Sequence, residues 1–545
     1  APVVAGDLQR VFTGCYTSLA RIKRQAVKSL SGLVQTEALC AAAWWELGEE
    51  YPAARLETAW RDHLFNDFHD ILPGSCIEPA EQDALGLYAR VDESCRRLRL
   101  GAAASFNAGP RQPAYIPVTI LNANPGAVRV PVEVECMLDL RPKWSGTWHL
   151  RALTLEGREL PCQEEQPESL LPFNGWRRKA VFMADLPPLG ATYYRLEIKE
   201  GRRPEANPGP ALAHRFDREL GLVTSLQTAQ GEECLKGPLL KPLVVEDPGD
   251  SWGTDQWAYR KILGEFSCVA GSVTRLAAGA IRTVTESVHQ YGHSRIVAQM
   301  IAYNEWPALE LRMRVYWQEE QLRLKLAIPT VFDPDSVLVE VPGGAWTRPA
   351  NGQEHVHRRW VVICDSHRAA ALGIIHDGLH GFDVQHGEIR LSVLRSAAYC
   401  HEQGFRLGPT PARKFMDQGV HEIRVVIIAG TPAEVRTRVG PIAEWLSGPP
   451  AIYAHLPLGP KKPADDQTPS RLLSLLPPNL ALLACKQSWD GRALILRLQE
   501  ISGSATLLSL PSLTNATLKF GPFAIRTLRL EHDGAIRGVN LISEV

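Results

Sequence analysis

Residues 66–75, "NDFHDILPGS", place His69 directly before Asp70, with Phe65 and Phe68 ahead of the pair and a Pro-Gly-Ser turn behind it. These are side-chain types that bind metals and move protons. His69 follows Phe65 by four residues and Asp62 by seven. On a helix it would share their face while Asp70 turned about 100° away. The same spacing also describes a helix-end histidine bonded to a backbone carbonyl beside a solvated aspartate. A catalytic zinc takes three protein ligands and keeps one position open. One histidine and its neighbour cannot supply that set, so the partners come from elsewhere or there is no metal.

A second cluster, "HDGLHGFDVQHGE", gathers His376, Asp377, His380, Asp383 and His386. In a strand-turn context these side chains alternate between faces, which argues against a second metal there. The eleven cysteines are odd in number and contain no CxxC pair. That fits neither a disulfide framework nor a structural zinc cluster, and leads to an expectation of reduced thiols and a cytoplasmic location. Asn515-Ala516-Thr517 matches a glycosylation acceptor, a pattern short enough to arise by chance in a chain of this length.

Bulk properties bound the rest. A length of 545 residues implies about three or four domains at roughly 150 residues each, and a 45% hydrophobic content can fill their cores. Fifty-nine basic against sixty acidic residues leave a net charge of -1. No overall field exists to gather nucleic acid or anionic membranes, so neither is expected as a partner. The opening "APVVAGDLQR" lacks the pattern of a signal peptide, and the richest apolar stretch, "LLSLLPPNLALLAC", is cut by two prolines.

Two kinds of element must position the candidates, and the change falls near residue 105. Before it, Leu19, Ile22, Ala26, Leu30, Leu33, Cys40, Trp44 and Leu47 recur at helical spacing, with Glu37 in the missing slot and Thr17 or Ser18 as the expected cap. A second helix is read through Leu56, Trp60, Leu64, Phe68 and Leu72, stopped by Pro-Gly-Ser. A third opens on Ser75-x-x-Glu78, a capping-box pattern with Pro79 in the first turn. Three helices joined by short turns make a bundle. Beyond it the period falls to two: Val128, Val130, Val132, Val134 and Cys136 alternate with polar residues and Pro131. "LELRMRVYW" and "LRLKLAI" flank Gln318–Gln321 and read as a hairpin. Pro/Gly-rich stretches at 201–210 and 447–463 divide this region.

"LFNDFHDILPGSCI" resembles a signature of glycoside hydrolase family 38, the zinc-dependent retaining α-mannosidases. "TGCYTSLARIKR" is similar to the opening of that family's middle domain. "EDPGDSW", "GLHGFDV", "LSVLRSAAY", "MDQGVHEIRV" and "FGPFAIRTLRL" are similar, in order, to its β region. The resemblance implies that His69 is a zinc ligand and that Asp70 hydrogen-bonds hydroxyls of a mannose held on the zinc. It also makes Asp250 and Trp252 candidates for a β-domain edge facing the sugar. The family begins with an α/β barrel that supplies the remaining zinc ligands, the nucleophile and the acid/base. Residue 1 is read as the threshold of the middle domain, so no catalytic carboxyl is assigned in this chain and inactivity without the barrel is expected.

The resulting expectation is an α+β multidomain protein, a three-helix bundle followed by β-sandwich domains. The divisions are 1–104 helical, 105–205 small sandwich, 206–446 large sandwich and 447–545 C-terminal β domain. The implied partners are an α-mannoside glycan, the barrel domain and further copies of the chain. The alternative is a non-catalytic carbohydrate-binding or assembly protein derived from the family.

Overall fold

Helix α1 (Ala20–Leu47) is the spine of the N-terminal bundle, against which α2 (Ala53–Phe65) and α3 (Glu78–Phe106) pack. The computed structural model describes residues 11–107, 115–124, 126, 128–138, 146–168, 177–204, 206, 208–365, 367–402, 414–456, 476–477, 479–510, 517–540 and 542. Asn515, Ala516 and residues 457–463 of the second Pro/Gly-rich stretch lie outside them. Leu33, Ala59, Val91 and Cys95 close the bundle core with Trp60 against them; α2 inserts Ala59, which its apolar row did not include, and leaves Leu64 and Phe68 of that row exposed. Glu37 occupies its slot buried, accepting a hydrogen bond from Trp60 Nε1 at 3.3 Å.

The helix ends depart from the sequence reading. Neither Thr17 nor Ser18 caps α1: Leu19 adopts a left-handed conformation, and the Ala20 N–H donates to Asp417 Oδ2 at 3.0 Å. The cap comes from 397 residues away. The Ser75–Glu78 box is also absent, because α3 starts behind Ile77 and Ser75 Oγ donates to Asp70 Oδ1 at 3.0 Å. The second helix, read as reaching Leu72, stops at Phe65. Buried Asn66 donates from its side-chain amide to the Ala84 carbonyl of α3 at 3.0 Å, and Pro73 disfavours helical geometry at Leu72. Residues 66–74 therefore form consecutive tight turns, so His69 and Asp70 lie on a loop.

After the bundle the described residues form antiparallel β layers, which together with the helices make the α+β multidomain architecture read from the sequence. A small sandwich pairs a five-stranded sheet with a three-stranded one. In the latter, Val128–Met137 lies beside Arg177–Leu186 and buries Val130, Val132, Val134 and Cys136, as its alternation required. Strand Ala451–Ala454, assigned by sequence to the last domain, instead pairs with Ile116–Asn122 of this sandwich. The large sandwich faces a six-stranded sheet against a ten-stranded one over a core that includes Trp317, Phe332, Phe382 and Ile427. Helix α4 (Pro432–Ser447), with a Thr431/Glu434 capping box, covers the back of the ten-stranded sheet.

The expected hairpin across Gln318–Gln321 is not formed. Leu309–Trp317 pairs with Ser294–Tyr303 and Gly419–Gly430, whereas Leu322–Pro329 pairs with Lys241–Glu246 and Glu388–Arg395 in the opposite sheet. Each strand already has two neighbours, and Gln321 at φ 52° turns the chain across the sandwich. Among the described residues no helix is long and apolar enough to cross a membrane.

Candidate functional site

The His69–Asp70 loop is an exposed, tightly wound ledge. The Ile71 and Leu72 N–H groups donate to the Phe68 carbonyl, Gly74 donates to Ile71, and Ser75 closes the ledge onto Asp70 at 3.1 Å. The His69 side chain is 79% exposed, its ring 4.2 Å from that of Phe68, with Nε2 at 3.5 Å from Asp70 Oδ2. Leu64, Phe65 and Phe68 flank it and are 56%, 64% and 51% exposed. An imidazole and a carboxylate thus stand on an apolar surface that nothing in this chain covers among the described residues.

Beneath the ledge three glycine-bearing segments meet backbone to backbone. A Cβ on Gly74 would lie 2.3 Å from the Ser18 carbonyl oxygen, and one on Gly253 would lie 2.3 Å from the Gly14 nitrogen. Only residues without a side chain permit either approach. The 3₁₀ turn Thr13–Tyr16, the Asp70–Cys76 segment and the loop carrying Asp250 and Trp252 therefore converge. Cys15 lies among them. Burial raises its thiol pKa; Lys23 and Arg395 lower it, while Asp250 and Asp70 raise it, so both carboxylates act on one sulfur.

Asp250 is buried and its Oδ1 accepts the Thr254 N–H at 2.8 Å, which closes the turn that carries Trp252. Trp252 is half-buried, its backbone pressed against Gly14. Behind this loop runs a buried ion network on the six-stranded sheet. Asp247 accepts from Arg395 Nη2 at 2.8 Å and from Arg323 Nε at 3.1 Å; Glu354 bridges Arg323 and Lys325; Asp383 joins Lys325 to Arg260. Burial alone would raise the Asp247 carboxyl, but the two guanidiniums outweigh it and hold it below the usual carboxylate range. Arg323 reaches Thr17 and Arg395 reaches Ser18, so the network grips the segment entering α1. Sequence reasoning missed Ser18, Lys23, Arg395 and the three glycines. The one available signal was a glycine inside each motif of the "TGC", "PGS" and "SWG" stretches.

The second histidine cluster is dispersed, and what remains together is not a metal site. Asp383 belongs to the ion network, and His386 lies at a left-handed turn. His376 and His380 meet His357, which the sequence did not single out. Nδ1 of His376 accepts from the Leu379 N–H at 3.0 Å, which puts its proton on Nε2, directed at Nε2 of His357. His357 in turn donates from Nδ1 to the His380 carbonyl. The two imidazoles satisfy each other. Among the described residues no group of three or more His, Cys, Asp or Glu side chains is arranged to hold a metal. His69 and Asp70 offer two donors at most, so they do not by themselves fit a complete zinc site.

The bundle-plus-sandwich arrangement is a fold shared with proteins of solved structure. An α-mannosidase from Enterococcus faecalis V583 superimposes with a TM-score of 0.78 at 15% identity, covering 95% of this chain and 68% of that one. A family 38 glycosyl hydrolase from Enterococcus faecalis gives 0.73 at 15% identity, covering 97% and 72%. Residues 10–106 match the model of the alpha mannosidase middle domain, and residues 210–406 that of the glycosyl hydrolases family 38 C-terminal domain. The chain belongs to glycoside hydrolase family 38. Alpha-mannosidase 2C1 of Mus musculus is 24% identical over 95% of this chain and 49% of its own length; the Homo sapiens protein is 24% identical over 90% and 44%. The chain thus spans about half the length of the curated relatives it matches.

Proposed function

We propose that this chain forms one wall of the active site of a zinc-dependent retaining α-mannosidase acting on terminal α-mannosyl residues of glycans. The observation that carries the reading is the exposed His69–Asp70 ledge amid bare Leu64, Phe65 and Phe68, a surface suited to a covering domain. His69 would donate to zinc, which supplies Lewis acidity and orients the sugar diol. Asp70, its Oδ1 already fixed by Ser75, would accept from mannose hydroxyls. Trp252 would edge the sugar, and Asp250, committed to its turn, would hold Trp252 there.

Retention of configuration needs two carboxyl groups about 5 Å apart. Asp62 is engaged by Arg90 through Nε and Nη2 at 3.1 and 2.8 Å, and Asp70 stands beside an imidazole. We infer that the nucleophile, the acid/base and the other zinc ligands reside in an α/β barrel outside these residues, and that this chain alone is inert. A cytoplasmic setting is supported by the eleven unpaired cysteines, and self-association accompanies the reading.

The test is hydrolysis of 4-nitrophenyl α-mannoside with added zinc, by this chain alone and together with the barrel, each with His69→Ala as control. Turnover only when the barrel is present, lost in His69→Ala, is the expected result. Zinc-dependent turnover by the chain alone, abolished by His69→Ala, would overturn the need for a second component.

A further inference from the structure

We propose that Lys23 is the positioning residue of the His69–Asp70 ledge: its ammonium ties the carbonyls of Leu72 and Pro73 to that of Ser18 and so fixes where the imidazole and carboxylate point. The proposal deepens the reading above and rests on it for the ligands concerned. Lys23 is 5% exposed, on the first turn of α1. An ammonium has three protons and no acceptor. All three are directed at backbone carbonyls: Leu72 and Pro73 at 3.1 Å each, and Ser18. A buried cation is costly unless its donors are met, so this arrangement has little tolerance for displacement.

Among the described residues the two loop carbonyls accept from Lys23 alone. The backbone bonds donated from 66–75 end on His63, Leu64, Phe65, Phe68, Asp70 and Ile71, which leaves the Leu72 and Pro73 oxygens to the Lys23 ammonium of α1. Gly74 rests against the Ser18 carbonyl, so ledge and clamp share one atom. Ser18 is itself held from the other side: its hydroxyl donates to Ser251 at 2.9 Å and accepts from Arg395 Nη1 at 3.1 Å. A continuous polar line therefore runs from Asp247 and Arg395 in the sandwich through Ser18 and Lys23 to the carbonyls three and four residues beyond His69. The bundle contributes packing under the ledge through Ile71, Cys76, Ala84 and Tyr88. Apolar packing fixes depth; the clamp fixes rotation and register.

Two readouts separate positioning from a general contribution to folding. In this chain, hydrogen exchange of the Ile71, Leu72, Gly74 and Ser75 amides is followed in Lys23→Met, which keeps the stem and removes the donors. Exchange there is expected to rise about tenfold or more, with amides of α3 beyond Val91 changing less than about twofold, and K23R restoring much of the protection. An unchanged ledge, or a ledge and α3 loosened alike, would overturn the proposal. In the enzyme completed by its barrel, Lys23→Met should lower kcat/KM for the mannoside about a hundredfold, with recovery in K23R. A loosened ledge with unchanged kcat/KM would also overturn it. If the completed wild-type enzyme itself is inert, the mannosidase reading fails while the exchange experiment still decides the clamp.

Discussion

Gly253 and Gly48 have nearly the same backbone conformation, φ 67° and 69°, in opposite surroundings, so substituting each with alanine isolates the cost of the loop convergence. Left-handed geometry costs a residue with a Cβ about 1–2 kcal/mol, less up to about 1 kcal/mol regained from a stiffer unfolded chain. At Gly48, the end of α1, a Cβ meets nothing within 4 Å, so Gly48→Ala should cost about 1 kcal/mol or less. At Gly253 it would lie 2.3 Å from the Gly14 nitrogen and 2.5 Å from the Tyr259 hydroxyl. Two parts of the molecule must separate, which adds an overpacking cost of about 1–3 kcal/mol, for a total of about 3 kcal/mol. Native-state hydrogen exchange reads this locally, without requiring a multidomain chain to unfold as one unit. The Thr17 and Ser18 amides, which donate to the Gly14 carbonyl, should exchange about a hundredfold faster in Gly253→Ala and at the wild-type rate in Gly48→Ala. Equal behaviour of the two variants would refute the claim that close backbone contact joins bundle and sandwich.

Three further outcomes are expected. Asp247→Asn takes from buried Arg395 its carboxylate partner, while Arg323 keeps Glu354, and should cost about 3–5 kcal/mol in urea unfolding. Because the Asp247 pKa is depressed in the fold, its contribution is present above the unfolded carboxyl pKa and is lost as pH falls through the folded one, so the acid-side loss should shrink in the variant. Burial, with nearby cations, lowers His357 to about 3 and His380 to about 4, and lowers His376 as well. Below about pH 6.5 the unfolded state takes up protons that the fold refuses, so stability should fall from there down to about pH 4 at up to about 1.4 kcal/mol per pH unit per histidine. Titrating thermal stability of His376→Gln should show a shallower slope. His69→Ala should change stability by less than about 0.5 kcal/mol, since the side chain is exposed, and under the proposed function should abolish the mannoside turnover assayed with the barrel present.

The sequence by itself determined element type and family. The spacing of Leu33, Trp60 and Val91 specifies helices because 3.6-residue periodicity is a local property, and the alternation from Val128 to Cys136 specifies a strand with one buried face for the same reason. The motif around His69 singled out a segment that the fold sets on an exposed turn. Tertiary structure decided what joins what. Leu309–Trp317 and Leu322–Pro329 look like hairpin partners, yet pairing is settled by competition among all strands, and each found neighbours far away in sequence. His69 left its helix because Asn66 bonds to α3, α1 takes its cap from Asp417, and His376 is paired with His357, 19 residues away. Glycines 14, 74 and 253 carry no periodic signal; their role exists only where two backbones touch. Periodicity is written within about ten residues, whereas caps, clamps and strand partners depend on groups brought together only by the whole fold.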